Sequence, residues 1–426
     1  MSPLPDRSNV LSLRLLGTYG FMAFPLAFAG LPIYLHAPDF YATSLGVSLS
    51  LLGFMLLGLR LVDAVQDPWI GSLSDRFADR RPLIIVFGLV LLGAGFWMIF
   101  HPATQVPLIW FAVSVLLCTT GFSIVSINLQ SVGGLWKTNE GNRTIVSGVR
   151  EAFGLLGLLC AAVVPVILSR LHGPQQAYHL LSLLFLPLLT VGGLLFLGWL
   201  KAAPLSLADA SAPRASWREV LRSPWQRRFF AVCLLNSLAS SIPAVLVLFF
   251  IRDRLDAESL TGLFLVLYFL SGAISMMFWA ALARRMGKVR AWRTSMGLAC
   301  ITFVWAVFLG QGDIPAFAAI CILSGLALGA DLALPPAILA DHVAHTGQEA
   351  DSTRLYAVLA FTTKAALALA TGITLPLLGL LGYEPGQTAT GHAALALNLA
   401  YAGLPCLMKT SILLWLNKNG PMLASH

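Results

Sequence analysis

The chain has 426 residues, of which 58% are hydrophobic and only 11% are charged. Soluble domains carry about 25% charged residues, so this composition excludes a water-soluble globular domain and makes lipid the solvent for most of the surface. The formal net charge of +8 fits a nucleic-acid-binding protein as well as a membrane protein. The positions of the basic residues therefore have to decide between the two classes.

Twelve apolar stretches follow one another along the chain, and each is long enough to cross the hydrocarbon core, which takes about 20 helical residues. Their unbroken apolar character favours helices over barrel strands, in which polar and apolar residues alternate. We therefore predict an all-α polytopic membrane protein with spans 1 to 12 at 11–35, 44–69, 82–101, 106–135, 144–169, 177–200, 229–251, 258–283, 290–311, 314–340, 354–380 and 390–416.

The longest polar interruption divides the twelve spans into two sets of six. We predict an N-terminal six-helix bundle over 1–200, a cytoplasmic linker over 201–228 and a C-terminal six-helix bundle over 229–426. Short basic loops follow span 2 (71–81) and span 8 (283–288). Matching loops in two halves are typical of an internally duplicated transporter.

The basic residues outside the spans are strongly asymmetric. Nineteen lysines and arginines fall on the side that carries the N-terminus, and three fall on the other side (Arg170, Arg252 and Arg254). By the positive-inside rule, both termini are cytoplasmic. The basic charge thus reflects topology, and we expect no nucleic-acid partner.

The six cysteines all lie inside predicted spans, and none has the spacing of metal ligands: Cys118, Cys160, Cys233, Cys300, Cys321 and Cys406. We therefore expect neither structural disulfides nor a zinc site. No organic cofactor is expected.

Span 2 carries three charged residues where each costs at least about 2.5 to 3.5 kcal/mol on insertion scales. At 100° per residue, Arg60, Asp63 and Asp67 point within about 60° of one another. Two carboxylates one turn apart beside an arginine make either a hard-oxygen site for Na⁺ or a proton-sharing pair. Asp67 alone can also be an interfacial residue.

Span 4 carries a narrow polar stripe formed by Thr119, Ser123, Ser126 and Gln130. The stripe indicates either a binding surface or a hydrogen-bonded seam between helices. In span 5, Arg150 is followed by Glu151, which neutralises it unless the arginine contacts substrate or closes a cytoplasmic gate.

Two charged residues stand out in the second half. Asp331 lies in the middle of span 10, shortly before Pro335 and Pro336, which we expect to break or kink the helix at a substrate or gating site. Lys364 lies about 15 Å deep in span 11 and needs an anionic partner. We expect that partner to be Asp63 or Asp67.

The segment Arg60-x-x-Asp63-x-x-x-Asp67-Pro68-x-x-Gly71-x-x-x-Asp75-Arg76 resembles the glycoside–pentoside–hexuronide:cation symporters, a family of the major facilitator superfamily that includes the melibiose permease. Shorter similarities occur at Tyr19-Gly20, at Arg150, at 340–343 and at Lys364. The resemblance covers nearly the whole chain. It implies the major facilitator fold and a secondary transporter that works by alternating access.

The resemblance also implies roles for individual residues. The coupling cation would bind Asp63, Asp67, Gln66 and Ser123, with Lys364 and Arg60 as charge partners. Candidates for substrate binding are Arg150, Ser126, Gln130 and Asp331, and candidates for gating are Asp75 and Arg76. The implied partners are a small-molecule substrate and the lipid bilayer, in a protein that we expect to be a monomer in a bacterial inner membrane.

This sequence departs from the family pattern at three places. The melibiose permease holds its sugar with aspartates in spans 1 and 4, where this chain has Ala27 (or Leu26) and Ser126. A simple galactoside is therefore not the expected substrate, and a less polar or an anionic solute fits as well. Gln66 replaces the usual asparagine, which leaves both Na⁺ and H⁺ open as the coupling ion.

Two other functions compete with a symporter. A proton-driven exporter of drugs, lipids or metabolites would share the fold and the loop after span 2, but it would not need the aspartate pair. An intramembrane prenyltransferase would need a second aspartate cluster, and the later candidates Asp331 and Asp341 are too far apart in sequence. We therefore expect a transporter and not an enzyme.

Overall fold

The computed structural model describes residues 12–103, 105–206, 219, 223–381, 383, 391–420 and 423. The described part packs as two compact units. The first unit takes its residues from Met1–Arg214 and Leu339–Ala357, and the second from Ala215–Ile338 and Val358–His426. Two helices are therefore divided between the units. They are Ile314–Thr346 and Ser352–Leu380, and each contributes one end to the first unit.

Eight α-helices come from the N-terminal part of the chain. They are α1 (Leu13–Gly20), α2 (Ala23–Leu31), α3 (Ala37–Leu45), α4 (Leu49–Arg76), α5 (Arg81–Ile99), α6 (Pro107–Gly134), α7 (Glu140–His172) and α8 (Pro174–Ala202). A π-helical turn, Pro32–His36, joins α2 to α3, and a short 3-10 turn, Ala78–Arg80, follows α4.

Seven further α-helices follow. They are α9 (Pro224–Phe249), α10 (Thr261–Met286), α11 (Lys288–Phe303), α12 (Ile314–Thr346), α13 (Ser352–Leu380), α14 (Gly391–Asn398) and α15 (Leu404–Asn419). A π-helical turn, Leu399–Gly403, joins α14 to α15, so that the two form one membrane-length segment.

Eleven helical segments of the described residues are long and apolar enough to cross a membrane. The remaining predicted span, span 2, corresponds to α4, a helix of 28 residues that contains Arg60, Asp63 and Asp67. The described residues form helices and no strand, apart from one isolated bridge between Trp136 and Leu205. The predicted all-α polytopic fold is thus confirmed.

Each unit has an apolar core of its own. In the first unit, Tyr19 packs against Trp199 with ring centroids 4.8 Å apart. In the second unit, Phe250 stacks on Tyr401 at 4.1 Å. In the first unit α5 packs extensively on α6, and a Cβ added to Gly95 would lie 2.7 Å from the carbonyl oxygen of Ser114. Only glycine permits that approach of the two backbones.

Two local predictions are wrong. The loop predicted to begin at Gly71 is helical as far as Arg76, because α4 continues past the apolar span instead of ending with it. Of the break or kink predicted at Pro335 and Pro336, the break does not occur, since α12 runs unbroken from Ile314 to Thr346. The two prolines remove backbone donors to the carbonyls of Asp331 and Leu332 without ending the helix.

The predicted linker, 201–228, is described only in part. The chain leaves α8 at Ala202 and enters α9 at Pro224, inside the predicted linker. Residues 207–218 and 220–222 lie outside the described residues. The predicted division of the chain at 1–200, 201–228 and 229–426 stays a prediction.

Candidate functional site

The first group of predicted site residues lies where α4 packs against α6. The Ser123 hydroxyl donates to Oδ1 of Asp63 at 3.1 Å, and Nε2 of Gln66 donates to the same oxygen at 3.0 Å. Thr120, on α6, donates its hydroxyl to Oε1 of Gln66 at 2.9 Å. We call these four residues the Asp63 cluster. Their spacing puts the carboxylate, the amide and both hydroxyls within one turn of each helix.

Burial gives these contacts their energetic importance. Asp63 is 7% exposed and the next carboxylate along α4, Asp67, is fully buried. A buried carboxylate is stable only when donors or cations replace its lost hydration. Hydroxyl and amide donors perform that function at Asp63, and the same set of groups could exchange a proton or surround a small cation.

One more contact extends the α4–α6 seam. Asn128 donates to the Ser74 hydroxyl at 3.0 Å, while Arg60 is half-buried on α4. The polar stripe predicted on α6 divides in the structure. Ser123 faces Asp63, whereas Thr119 bonds its own helix through the Leu116 carbonyl.

The other predicted residues of this stripe, Ser126 and Gln130, are half-buried and bond each other at 3.4 Å. They are not joined to the Asp63 cluster by any hydrogen bond described in this structure. Sequence reasoning missed Thr120, although it stands three residues before Ser123 and so shares a helix face with it.

Arg150 and Glu151 form a local ion pair on α7. The guanidinium of Arg150 is 4% exposed and donates through both Nε and Nη2 to the Glu151 carboxylate. The neutralisation considered from the sequence therefore takes place. A role for Arg150 with an anionic substrate requires this pair to rearrange.

Asp75, at the end of α4, accepts hydrogen bonds from the start of α13. The backbone N–H groups of Thr353 and Arg354 donate to its two carboxylate oxygens at 3.0 and 2.7 Å. These groups belong to the first turn of a helix and have no partner within it. A carboxylate placed there is further stabilised by the helix dipole. Asp75 thus caps α13 from another helix.

Further contacts surround this cap in the first unit. Nη2 of Arg81 lies 3.7 Å from Oδ1 of Asp75 and donates to the Thr353 hydroxyl at 3.1 Å. Gly71 is required nearby, because a Cβ there would lie 2.9 Å from the Thr353 carbonyl oxygen and 3.0 Å from Cα of Arg354. The second gating candidate, Arg76, is exposed and stacks over the Phe77 ring at 5.8 Å.

A salt bridge in the first unit joins α7 to the end of α12. Arg143 donates to Oδ1 of Asp341 at 3.0 Å, and both side chains are largely buried. A cavity of about 590 Å³ opens nearby, with Lys137, Arg143 and Glu349 in its wall. The predicted coupling residues do not line this cavity.

In the second unit, Asp331 belongs to a polar cluster built on four helices. Lys409 of α15 donates to Oδ2 of Asp331 at 2.7 Å and to Oδ1 of Asn236 on α9 at 2.7 Å. The indole N–H of Trp292 on α11 donates to the other oxygen of Asp331 at 2.9 Å. We call these four residues the Asp331 cluster.

Sequence reasoning singled out Asp331 and missed Lys409. The signal was present, because Lys409 is a lysine inside a predicted span, as Lys364 is. Lys364 is half-buried on α13, in the part that belongs to the second unit. Its pairing with Asp63 or Asp67 stays a prediction.

Comparison with known proteins connects these features to a family. Residues 17–417 match the model of the MFS/sugar transport proteins. The chain belongs to this family. The resemblance to the cation symporters that was read from the α4 motif is thereby confirmed, and the chain is a transporter of the major facilitator superfamily rather than an enzyme.

Curated relatives of this transporter are distant but extend along most of its length. The inner membrane symporter YicJ of Escherichia coli (strain K12) is 23% identical, covering 92% of this chain and 88% of its own. A glucuronide carrier protein homolog of the same strain is 21% identical and covers 88% and 86%. The isoprimeverose transporter of Lactiplantibacillus pentosus is 21% identical and covers 86% and 80%.

Solved structures show the same fold. The E. coli fucose:proton symporter FucP superposes with a TM-score of 0.69 at 14% identity, covering 97% of this chain and 98% of its own. A bacterial homologue of the iron transporter ferroportin gives 0.64 at 19% identity, covering 94% and 97%. This transporter is therefore an integral membrane protein that carries a small molecule across a bilayer.

Proposed function

We propose that the chain is a symporter that couples a cation, Na⁺ or H⁺, to the movement of a small organic solute by alternating access, with Asp63 as the coupling carboxylate. The observation that carries this proposal is the Asp63 cluster. A carboxylate that is 7% exposed inside a membrane-length helix, with a hydroxyl and an amide on one oxygen, is a costly arrangement. Such residues in membrane proteins mark ion pathways.

The orientation of Gln66 favours H⁺ over Na⁺ as the coupling ion. Because Thr120 donates to Oε1 of Gln66, the amide turns its N–H toward Asp63. A hard cation such as Na⁺ prefers oxygen ligands, by analogy with other hard cations, so its binding there would require the amide to rotate. A proton on Asp63 needs only one new O–H bond.

The remaining predicted roles are part of the same proposal. Asp67 would complete the cation site and Lys364 would exchange its partner when the cation binds, with Arg60 as a further charge. Asp75 and Arg76 would act in gating. Arg150 and Asp331 would contact the substrate, together with Ser126 and Gln130.

For the substrate, the named relatives supply the first compounds to test. Two of them are named for a glucuronide and for isoprimeverose. The proposal includes one anionic and one neutral glycoside. Arg150 can hold the carboxylate of an anionic glycoside only if it leaves Glu151, so a neutral glycoside is the alternative. The apolar segment of α2 supports the exclusion of a simple galactoside.

We further propose a bacterial inner membrane as the location, with both termini in the cytoplasm and a monomer as the transporting species. The asymmetry of nineteen basic residues against three supports the orientation. Several relatives come from bacteria, and one is named an inner membrane symporter. A reporter fused after His426 that is active only in the cytoplasm would test the orientation.

The coupling proposal is tested on purified protein without knowledge of the substrate. A ligand that binds the folded state raises apparent thermal stability by mass action, by about 2.7 kcal/mol at 100 times its Kd. The melting temperature is followed across Na⁺, Li⁺, K⁺ and pH for the wild type, Asp63→Asn and the control Asp79→Asn. Asp79 is a suitable control because its side chain is 70% exposed outside α4.

A response to Na⁺ or Li⁺ that K⁺ does not give, and that Asp63→Asn abolishes, would establish a sodium-type site. A pH response that disappears in Asp63→Asn and persists in Asp79→Asn would establish a proton site. If Asp63→Asn responds to every cation and to pH as the wild type does, Asp63 is not the coupling carboxylate.

A further inference from the structure

The Asp331 cluster places a full ion pair within the second unit. Asn236, Trp292, Asp331 and Lys409 are each located on a different helix, and each of these helices belongs to a candidate membrane span. Lys409 stands ten residues before the end of α15, or about 15 Å along the helix. The side chains of Lys409 and Asp331 are 9% and 13% exposed.

A purely structural tie would not require charge at this position. Replacing a buried ion pair by well-packed apolar residues is often neutral or stabilising. Ionisable residues in membrane spans are rare, and many of them belong to ion pathways or proton relays. The pair therefore calls for a chemical function as well as a structural one.

The hydrogen bonds of the pair are suited to proton movement. Nζ of Lys409 lies 2.7 Å from Oδ2 of Asp331, so the N–H bond can break as an O–H bond forms, which converts an ion pair into a neutral amine and a carboxylic acid. No proton is gained or lost in that step. The second acceptor, Oδ1 of Asn236 at 2.7 Å, holds Lys409 in place during it.

Uptake of a proton from water follows from the same geometry. When a proton adds to Asp331, the Lys409 ammonium loses its counter-charge but keeps the Asn236 oxygen as a partner. Trp292 can only donate, so it holds the other carboxylate oxygen in both states. The Asp331 side chain is 13% exposed, so the protein does not enclose it completely.

We propose that Asp331 and Lys409 form a proton-binding site in the second unit, separate from Asp63 and independent of which cation binds there. Asn236 and Trp292 are positioning residues for it. This site takes up one proton at Asp331, with Lys409 retained by Asn236. Transport coupled to Na⁺ at Asp63 would thus still respond to pH through the second unit.

The titratable groups that interact electrostatically with the pair are thiols and a phenol. They include Cys233 on α9, Tyr268 on α10, Cys300 on α11 and Cys406 on α15. None of these four side chains has a carboxyl C=O stretch. A protonated-carboxyl band that depends on the pair therefore reports Asp331.

The test is an infrared difference titration of the purified, reconstituted protein between high and low pH. The variants are Asp331→Asn/Lys409→Met, which removes both charges and leaves neither unpaired, and Asp331→Glu, which keeps the charge and lengthens the side chain. Asp63→Asn is measured in parallel because Asp63 is the other proposed proton acceptor.

We expect the wild type to gain a protonated-carboxyl band at low pH. In the double variant the area of this band should be smaller by the share of one carboxyl group, and in Asp331→Glu the band should shift in position. Asp63→Asn is expected to keep the part of the band area that Asp331 contributes, even if this variant no longer responds to cations. Equal band areas in the wild type and the folded double variant would overturn the proposal. If the double variant does not fold, an unshifted band in Asp331→Glu would overturn it equally.

Discussion

Removing the charge of Lys409 tests the energetics of the Asp331 cluster. In Lys409→Met, the apolar part of the side chain remains, but Asp331 loses its cation at 2.7 Å and keeps the Trp292 donor at 2.9 Å. Breaking a buried pair on one side costs about 3 to 5 kcal/mol, because the remaining charge is uncompensated. That cost changes the unfolding equilibrium by about two to nearly four powers of ten.

Neutralising both partners should restore much of the loss. Asp331→Asn/Lys409→Met leaves no buried charge, and the amide carbonyl introduced at position 331 can still accept from Trp292. We therefore expect the double variant to be more stable than either single variant, with an interaction free energy of about 2 kcal/mol or more.

The assay is a double-mutant cycle on unfolding midpoints in mixed detergent micelles, with Lys418→Met as the control. Lys418 is exposed on the last turn of α15, so its replacement should change stability by at most about 0.5 kcal/mol. The reasoning is refuted if the losses in Lys409→Met and Asp331→Asn add in the double variant to within about 0.5 kcal/mol.

Two further outcomes follow from the first unit. Asp75→Asn should increase hydrogen exchange at the amides of α13's first turn roughly tenfold or more, since hydrogen bonds to a charged group contribute about 1.5 to 3 kcal/mol. Peptide-level mass spectrometry measures this exchange. An equal increase in the exposed control Asp79→Asn would contradict the capping role of Asp75. Thr120→Val should lower stability by about 0.5 to 1.5 kcal/mol and change the relative response to Na⁺ and pH, because its hydroxyl fixes the Gln66 amide. Thr119→Val, whose hydroxyl bonds only its own helix in the contacts described, is the matched control in thermal melts, and the same change of cation response in both variants would contradict the role of Thr120.

The sequence was sufficient to predict the fold class because a membrane-spanning helix is determined mainly by its own residues. A helix of about 20 apolar residues satisfies its own backbone, so length and composition identify it without knowledge of its neighbours. The ends of α4 were less predictable. The residues 71–76 are polar enough to suggest a loop, but they are helical, and Gly71 and Asp75 are buried against Thr353 and Arg354, which are far away in sequence.

The site was predictable only where it depends on one helix or on the family motif. Asp63 and Gln66 share a helix face, Ser123 belongs to the polar stripe of span 4, and the resemblance assigned Ser123 to the same site as Asp63. Lys409 was missed because its partner Asp331 is 78 residues away, and a single sequence does not say which helices are neighbours. Lys409 also lies only seven residues from the end of the predicted span 390–416, or about 10 Å, where a lysine side chain can still reach the interface.

Two of the three aspartates of the α4 motif connect the proposed coupling site with the start of α13. Asp63 and Asp75 are twelve residues apart on one continuous helix, or about 18 Å. Bonds to Ser123 and, through Gln66, to Thr120 fix the middle of this helix, and the amides of Thr353 and Arg354 fix its end. On the proposed coupling role, a cation at Asp63 would compete with the donors that hold α4 on α6.

Such a competition would act along the helix, because α4 is helical without interruption from Asp63 to Asp75. If cation binding weakens the cap that Asp75 places on α13 by some factor, then removing the cap must strengthen cation binding by the same factor. On the proposed coupling role, the motif has a physical reason to carry Asp63 in the middle of α4 and Asp75 near its end. Asp63 would respond to the ion, and Asp75 holds the start of α13.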